Sequence, residues 1–535
     1  MPVIRLQRAE LERLGISKDI LIENVSMLGA DLKDASGEEI LVEFFPDRPD
    51  LYTVEGVVRA LKYYAELEKP KKYKLKEGSV EINVDASVKR VRPFVVGAVI
   101  RNIEVDNLMI KSMMDFQEKL HFTVGRKRKK VAIGIHDFDK VKPPFIYTTK
   151  PPEFSFVPLG FDEEMPLKDI IERHPKGREY AHLIPGDEMP VILDSEGNVL
   201  SFPPIINGVL TQVTESTRNI FIDMTGTDLK TLMGVLNIVS TAFADRGATV
   251  ETVKVRDSNV YETPQFIYER MNIDVSMAKS MLGIQLTNKD IENSLSRMGY
   301  IVKGNVVEIP PYRMDILHPV DIIEDIAKGY GYQRITPSTI TKYVRGKGFE
   351  WEERFRLSLI GLGFVEIKSL TLSSFREQYD LMNLQRVENV VVENPVSEGT
   401  ETLRTWILPS LMAILRKNKH RELPQRVFEL GYVRSKSLER HVAFLWMDAK
   451  VGFTESKSVI ERLLSDLGIS EYNVAEKSHG SFIAGRCAAI MLNGEEIGFF
   501  GEIHPHVLEN FELTYPVVGG EINVEKFRGL LSEIQ

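Results

Sequence analysis

"YRMDILHPVDIIEDIAKGYGY", residues 312–332, places four carboxylates, Asp315, Asp321, Glu324 and Asp325, in otherwise apolar text. Pro319 suits the first turn of a helix, where its fixed φ is already helical and its missing N–H would have had no partner. A helix opening there sets Asp321, Glu324 and Asp325 at i, i+3 and i+4, on one face. Like charges one turn apart cost about 0.2–0.5 kcal/mol, so something must offset them. The positive end of the helix dipole and solvent would do so. So would a hard cation, because Mg²⁺ and Ca²⁺ take carboxylate oxygens.

The same text has an echo near the N-terminus. "ERLGISKDILIENVSMLGADL" (12–32) followed by "EEILVEFFPDRPDLYTVEGVVRAL" (38–61) parallels "SMLGIQLTNKDIENSLSRMGYIVK" (280–303) followed by "NVVEIPPYRMDILHPVDIIEDIAKGY" (305–330). Each runs Leu-Gly-Ile, a polar start at Ser17 or Thr287, a Lys-Asp-Ile helix closed by Gly29 or Gly299, a strand, Pro-x-Arg-x-Asp and a second helix. One supersecondary unit is expected to be used twice. Arg48 and Asp50 match Arg313 and Asp315, and Glu55 sits near the place of Asp321, but Val58 and Arg59 stand where the second copy has Glu324 and Asp325. A dipole effect alone would be expected in both copies. The contrast favours a metal at Asp315, Asp321, Glu324 and Asp325 and none in the first copy.

With 535 residues, 43% hydrophobic and 27% charged, the chain suits three to four soluble globular domains. No apolar run is long enough for a membrane span, and the start, "MPVIRLQRAELERLGI", is expected to be helical rather than a signal peptide. A lone cysteine, Cys487, excludes an internal disulfide and a multi-cysteine zinc site, which favours the cytoplasm. The net charge of −9 leaves nucleic-acid contact to local patches. Of two candidates, "EKPKKYKLKEG" (68–78) is expected to be a solvated linker, and "GRKRKK" (125–130) either meets phosphate or is a solvated hairpin.

The fold class expected is α+β and multidomain. A first repeat module spans 1–80, a central α+β domain 81–255, the second repeat with the acidic site 260–337, and a largely antiparallel sheet with flanking helices 342–535. In the central domain, "DSEGNVLSFPPIINGVLTQVTESTRNIFIDMTGTD" (194–228) combines a Gly-Asn hairpin turn, Ser201, a Pro-Pro pair, Asn207-Gly208, and Asp223 and Thr225 alternating on a strand. Small polar groups beside rigid turns either line a ligand pocket or cap the turns.

Six ordered signatures, "FFPDRPDLYTVEGVVRAL", "GRKRKKVAIGIHDFDK", "PPIIN…TRNIFIDMTGTD", "PPYRMDILHPVDIIEDIAKGYGY", "ENPVSEGTETLRTWILPSLM" and "GEIHPHVLENFEL", resemble the β subunit of phenylalanyl-tRNA synthetase of the archaeal and eukaryotic cytosolic type. The resemblance implies Mg²⁺ on Asp315, Asp321, Glu324 and Asp325. It implies a central editing domain hydrolysing mischarged Tyr-tRNA, with Ser201, Asp223 and Thr225 lining the amino-acid pocket and Asn207 nearby. It implies a class II synthetase-like C-terminal core, here without a Gly-x-Gly-x-x-Arg segment: "FIAGRCAAI" has Arg486 outside such a frame, and Glu429 in "RVFELG" is preceded by Arg426 rather than by an arginine two residues before it. ATP-dependent charging of tRNA(Phe) is then expected on an α subunit, in an (αβ)₂ tetramer. Neither the N-terminal oligonucleotide-binding barrel nor the C-terminal anticodon-binding domain of the bacterial kind is expected. The rival readings are a non-catalytic nucleic-acid-binding scaffold built on two winged-helix-like modules and a free-standing editing hydrolase.

Overall fold

The computed structural model describes residues 2–337, 339, 350–434 and 437–532. It is a mixed α+β protein that separates into two compact units, Met1–Ser338 and Thr339–Gln535. The expected boundary between 337 and 342 falls largely outside the described residues.

The repeated sequence folds as a repeated motif in the first unit. Val3–Gln7, Ala30–Asp34 and Glu39–Phe44 form a three-stranded sheet in the order first, third, second. Glu269–Asn272, Ile301–Lys303 and Val306–Ile309 form another in the same order. Ser17 Oγ accepts the Ile20 N–H and Thr287 forms a reciprocal capping box with Asp290, so the polar starts are N-caps. Gly29 and Gly299, at φ +79° and +90°, end those segments in the left-handed conformation. Pro319 opens the helix Pro319–Tyr330 as expected. Two expectations are corrected. The N-terminal segment begins as the strand Val3–Gln7, with a helix only over Arg8–Arg13. The lysine-rich 68–78 is not merely solvated, because Tyr73 is buried and donates its hydroxyl to Asp245 at 2.6 Å.

Between the repeats lies a sheet of ten strands among the described residues. Its order runs from Ile206–Asn207 through Val199–Phe202, Met189–Leu193, Phe145–Lys150, Lys76–Val84, Thr249–Arg256, Phe94–Arg101 and Ile220–Gly226 to Val131–Asp137, with Val260–Thr263 added beside Thr249–Arg256. The pleat sorts side chains by face. Ile220, Ile222 and Met224 join a core with the apolar sides of the helices Asn107–Phe122 and Leu229–Asp245, whereas Phe221 packs with Phe145 and Tyr147 on the other side. The two ends of this order meet in space: Asn207 Nδ2 donates to the Ile135 carbonyl at 3.4 Å, and Arg128 donates to the carbonyls of Pro204 and Ile205 at 3.0 and 2.9 Å. The sheet therefore curls almost closed, and the cavity described below lies along its seam.

The second unit is built on a seven-stranded sheet ordered Val365–Glu366, Gln425–Arg434, Leu438–Met447, Val517–Asn523, Glu495–Ile503, Phe482–Leu492 and Asn473–Glu476. Every pair is antiparallel except the first, in keeping with the largely antiparallel sheet expected from the sequence. Alternation again sorts the core. Val442 and Phe444 pack with the helix Phe453–Asp466, and Ala443 and Leu445 with the helix Leu408–Lys417. Cys487 is buried in the second of these clusters, and burial pushes its thiol up to about 11.

Candidate active site

Two adjacent antiparallel strands make the floor of the site. In their register Asp223 of Ile220–Gly226 lies opposite Gly134 of Val131–Asp137. A Cβ at position 134 would stand 2.2 Å from Asp223 Oδ2 and 2.6 Å from His136 Nε2, so only glycine leaves room for the two side chains to meet above it. They do meet: His136 Nε2 is 2.5 Å from Asp223 Oδ2. The other ring nitrogen, Nδ1, is 2.8 Å from Thr211 Oγ1. Ser201 Oγ donates to the same Asp223 oxygen at 3.4 Å. All four residues are buried, His136 completely.

Above this floor opens a cavity of about 660 Å³. Asp223, Ser201 and Thr211 line it together with Ile110, Met113 and Met114 of the helix Asn107–Phe122. Glu118, His121 and Arg128 form part of the wall. His121 Nε2 accepts the Ile133 N–H at 2.8 Å, so its proton sits on Nδ1, 3.6 Å from Glu118. Burial pushes its pKa down to about 4, which keeps the ring neutral at physiological pH. Arg126, Lys127 and Arg128 occupy three consecutive left-handed positions, at φ +47°, +52° and +63°. The tight reversal turns Arg128 inward to Glu118 at 2.6 Å and to the Pro204 and Ile205 carbonyls, leaving Arg126, Lys127 and Lys129 exposed. The basic run is thus divided: Arg128 closes the seam of the sheet and its neighbours face solvent.

Of the residues singled out from sequence, Ser201, Asn207 and Asp223 share this cavity. Thr225 does not line it. It lies on the same face as Asp223 but is fully buried, with its hydroxyl taken by Arg92 Nε at 2.8 Å. Arg92 is entirely enclosed, and burial lowers it to about 10, so it keeps its charge at neutral pH. Sequence reasoning missed Gly134, His136 and Thr211. The first two were accessible in principle, because strand alternation in "VAIGIHD" sets a glycine and the only strongly polar ring on one face. Thr211 comes from a short 3-10 turn, Val209–Thr211, whose approach to His136 has no local signal.

The four acids expected to hold a metal, Asp315, Asp321, Glu324 and Asp325, are each engaged by protein groups in this structure. Among the described residues no three His, Cys, Asp or Glu side chains gather as a metal-binding group. A protein cation serves the acids instead. Arg313 grips Asp315 through Nε and Nη2, at 2.9 and 2.8 Å, and reaches Asp325 Oδ2 at 2.6 Å, which also accepts the Tyr300 hydroxyl at 2.6 Å. Asp321 spends one oxygen on the N–H groups of Leu317 and His318, as the helix cap. Glu324 pairs with Lys328 at 3.0 Å and is 57% exposed, whereas Asp325 is only 4% exposed. Three acids on one helical face are thereby split between solvent and core. The donor set as arranged does not fit one hard cation, which needs several oxygens turned to a common centre. The Arg-x-Asp element recurs in the first repeat, where Arg48 grips Asp50 through two bonds of 2.7 Å. Its meaning in both copies is a planar guanidinium matched to a carboxylate.

In the second unit, Glu429 is fully buried against Arg404 at 2.8 Å, with Arg404 also donating to Ser369 and the Tyr432 carbonyl. A Cβ at position 431 would lie 2.2 Å from Arg404 Nη2, so the guanidinium fills the space above Gly431. Arg426 is occupied by the Trp446 ring, 3.8 Å from its centroid, and by the Leu362 carbonyl. Arg486 pairs at the surface with Glu502 at 2.8 Å.

A small-molecule cavity with a buried carboxylate, set in a curled sheet between two copies of a small α/β motif, belongs with chains built for aminoacyl-tRNA chemistry once compared with known proteins. Three family profiles match in order: "B3/4 domain" over 88–243, "tRNA synthetase B5 domain" over 271–332 and "Phenylalanyl tRNA synthetase beta chain CLM domain" over 334–524. The phenylalanine–tRNA ligase beta subunit of Methanosarcina barkeri is 42% identical over 99% of this chain and all of its own length. Those of Archaeoglobus fulgidus and Pyrococcus furiosus are 41% and 39% identical over 98% of this chain and 99% of theirs. The crystal structure of an N-terminal fragment of the phenylalanyl-tRNA synthetase beta subunit from Pyrococcus horikoshii matches with a TM-score of 0.60 and 38% identity, over 62% of this chain and all of the fragment. The chain belongs to the family of phenylalanine–tRNA ligase β subunits, one half of an α/β enzyme.

The Arg313 network yields a prediction. Arg313→Met leaves the buried Asp325 and the half-buried Asp315 without their guanidinium, a change expected to cost about 3–5 kcal/mol at pH 7. Arg313 holds Asp315 below the usual carboxylate range, so the wild-type contribution is complete above about pH 4 and is lost as pH falls through the lowered value. The gap between wild type and variant, read by urea denaturation, should therefore narrow towards pH 3. A gap under about 1 kcal/mol at pH 7, the range of an exposed pair, would contradict the network.

Proposed function

We propose that this chain edits as well as assembles: it hydrolyses Tyr-tRNA(Phe) in the cavity above Gly134 and supports charging of tRNA(Phe) by an α subunit that binds ATP. The observation that carries the editing reading is the carboxylate of Asp223 in an otherwise mainly apolar cavity, with Oδ2 occupied and, among the described residues, no hydrogen bond to Oδ1. Tyrosine differs from phenylalanine by one hydroxyl, which an apolar synthetic pocket rejects only weakly. A second site that accepts that hydroxyl reverses the preference. Phenylalanine entering it would desolvate Asp223 Oδ1 and give nothing back, at a cost of about 1–3 kcal/mol or more for a charged group. The ester itself is already activated, so a positioned water and exclusion of bulk solvent suffice without a covalent nucleophile.

Charging is assigned to the partner because the arginines that the sequence motifs single out in the second unit are already engaged: Arg404 by Glu429, Arg426 by Trp446 and Arg486 by Glu502. We infer a class II-like but silent core that docks on α in an (αβ)₂ tetramer. Among the described residues no helix is long and apolar enough to cross a membrane.

Phenylalanine-dependent aminoacylation and Tyr-tRNA deacylation, measured for this chain alone and mixed with the α subunit, test both halves. Charging is expected only in the mixture. Asp223→Ala is expected to lower kcat/KM for deacylation by about a hundredfold, the loss of one charge-assisted hydrogen bond in a desolvated site, and to leave charging unchanged. Full deacylation by Asp223→Ala would sink the editing assignment, and charging by the chain alone would sink the silent core.

The exposed Arg126, Lys127 and Lys129 beside the cavity are assigned to tRNA phosphate. Replacing all three by glutamine should flatten the slope of log K against log salt by about 2–3, since each phosphate contact contributes about 0.7–0.9. An unchanged slope would return them to the solvated-turn reading.

A further inference from the structure

The residue that the editing reading turns on, Asp223, is held from behind by His136, which in turn contacts Thr211. Asp223 as a carboxylate can only accept, so the proton in the 2.5 Å contact belongs to His136 Nε2. In the neutral ring Nδ1 is then an acceptor, and Thr211 Oγ1, 2.8 Å away, is the group that fills it. Thr211 Oγ1 also lies 3.2 Å from the Gly208 carbonyl, a second acceptor within reach of its single proton, beside the turn after Asn207. His136 is packed against the Phe221 ring, with centroids 6.1 Å apart and planes at 29°. The imidazole is thus held at both ring nitrogens and against one aromatic face.

The order of these groups resembles a nucleophilic triad run backwards. In a triad the hydroxyl faces the substrate and the carboxylate is sealed behind the imidazole. Here Thr211 and Asp223 both line the cavity and are both buried, but the Thr211 hydroxyl is engaged by His136, whereas Asp223 Oδ1 has no hydrogen bond among the described residues. What the relay can do in this orientation is fix a carboxylate. With Oδ2 pinned by His136 and Ser201, the plane of Asp223 is set and Oδ1 is presented as a single acceptor.

We propose that Thr211 and His136 are positioning residues that orient Asp223 Oδ1 towards the phenolic hydroxyl of the tyrosyl group, and that this relay sets the preference for tyrosine over phenylalanine. The proposal rests on the editing reading above and adds to it the residues that make Asp223 selective.

The test uses the assembled α/β complex. Thr211→Val keeps the shape of the side chain and removes the hydroxyl; Thr211→Ser keeps the hydroxyl. For Tyr-tRNA hydrolysis, Thr211→Val is expected to raise KM about tenfold with kcat within about twofold of wild type, the mark of lost ground-state binding. Thr211→Ser should return KM to the wild-type value. Tyrosine binding by calorimetry should weaken in Thr211→Val while phenylalanine binding does not change, and phenylalanine charging by the same complexes should be unaffected. A wild-type KM in Thr211→Val overturns the relay. A fall in kcat of about a hundredfold at constant KM also overturns it, because that result makes Thr211 a nucleophile. Should Thr211→Val not assemble, His136→Gln is read in the same assay: a raised KM supports the relay and a wild-type KM overturns it. If the wild-type complex fails to hydrolyse Tyr-tRNA, the editing reading falls; a tyrosine preference that Thr211→Val abolishes would still uphold the relay as a recognition device, and the absence of that preference would end it.

Discussion

The pairing of Asp223 with Gly134 across two antiparallel strands is the constraint from which the rest of the site follows. A carboxylate and an imidazole project from neighbouring strands and need the space above position 134 to touch. Any side chain there would sit inside hydrogen-bond distance of both. Given that gap, His136 can occupy one oxygen of Asp223 and leave the other for a ligand. A register slip of one residue would turn Asp223 into the apolar layer occupied by Ile222 and Met224, so the core that buries those residues is also what aims the acid.

The same economy governs the frame around the cavity. A curled sheet brings its two ends together, and Arg128 joins them by donating to two carbonyls of the opposite end while pairing with Glu118. The seam is where strands stop pairing with one another, and therefore where backbone and side-chain polar groups are left to face a ligand. In the repeats, arginine plays a comparable part: Arg48 with Asp50 and Arg313 with Asp315 staple a strand exit to the helix that follows. In the second unit Arg404 and Glu429 do the same inside a sheet. Buried ion pairs of this kind are costly to break and weak as net stabilisers, so their value here is in fixing geometry.

Much of this was legible in the sequence, and the failures have physical causes. The duplicated motif, its caps at Ser17 and Thr287, the helix opened by Pro319 and the antiparallel character of the second sheet all rest on local rules, and local rules are written locally. Ser201, Asn207 and Asp223 were found because turn residues and a polar residue in an apolar strand are visible one segment at a time. Thr225 shares its face with Asp223, and nothing in the alternation told that Arg92, 133 residues away in sequence, would take its hydroxyl. His136 and Thr211 depend on long-range register and were overlooked for that reason. The partners of the acidic face were not legible, because spacing on a helix reports direction and not partners: Arg313 lies before the helix and turns back over it to pair with Asp315 and Asp325.

The most direct measurement is a structure of this chain with tyrosine bound. The phenolic oxygen should lie within hydrogen-bond distance of Asp223 Oδ1, with the His136–Asp223 Oδ2 contact intact and the α-carboxyl directed towards the open side of the cavity. Tyrosine bound the other way, with its ring against Ile110 and Met113 and its amino group on Asp223, would contradict the assignment of Asp223 as the reader of the hydroxyl.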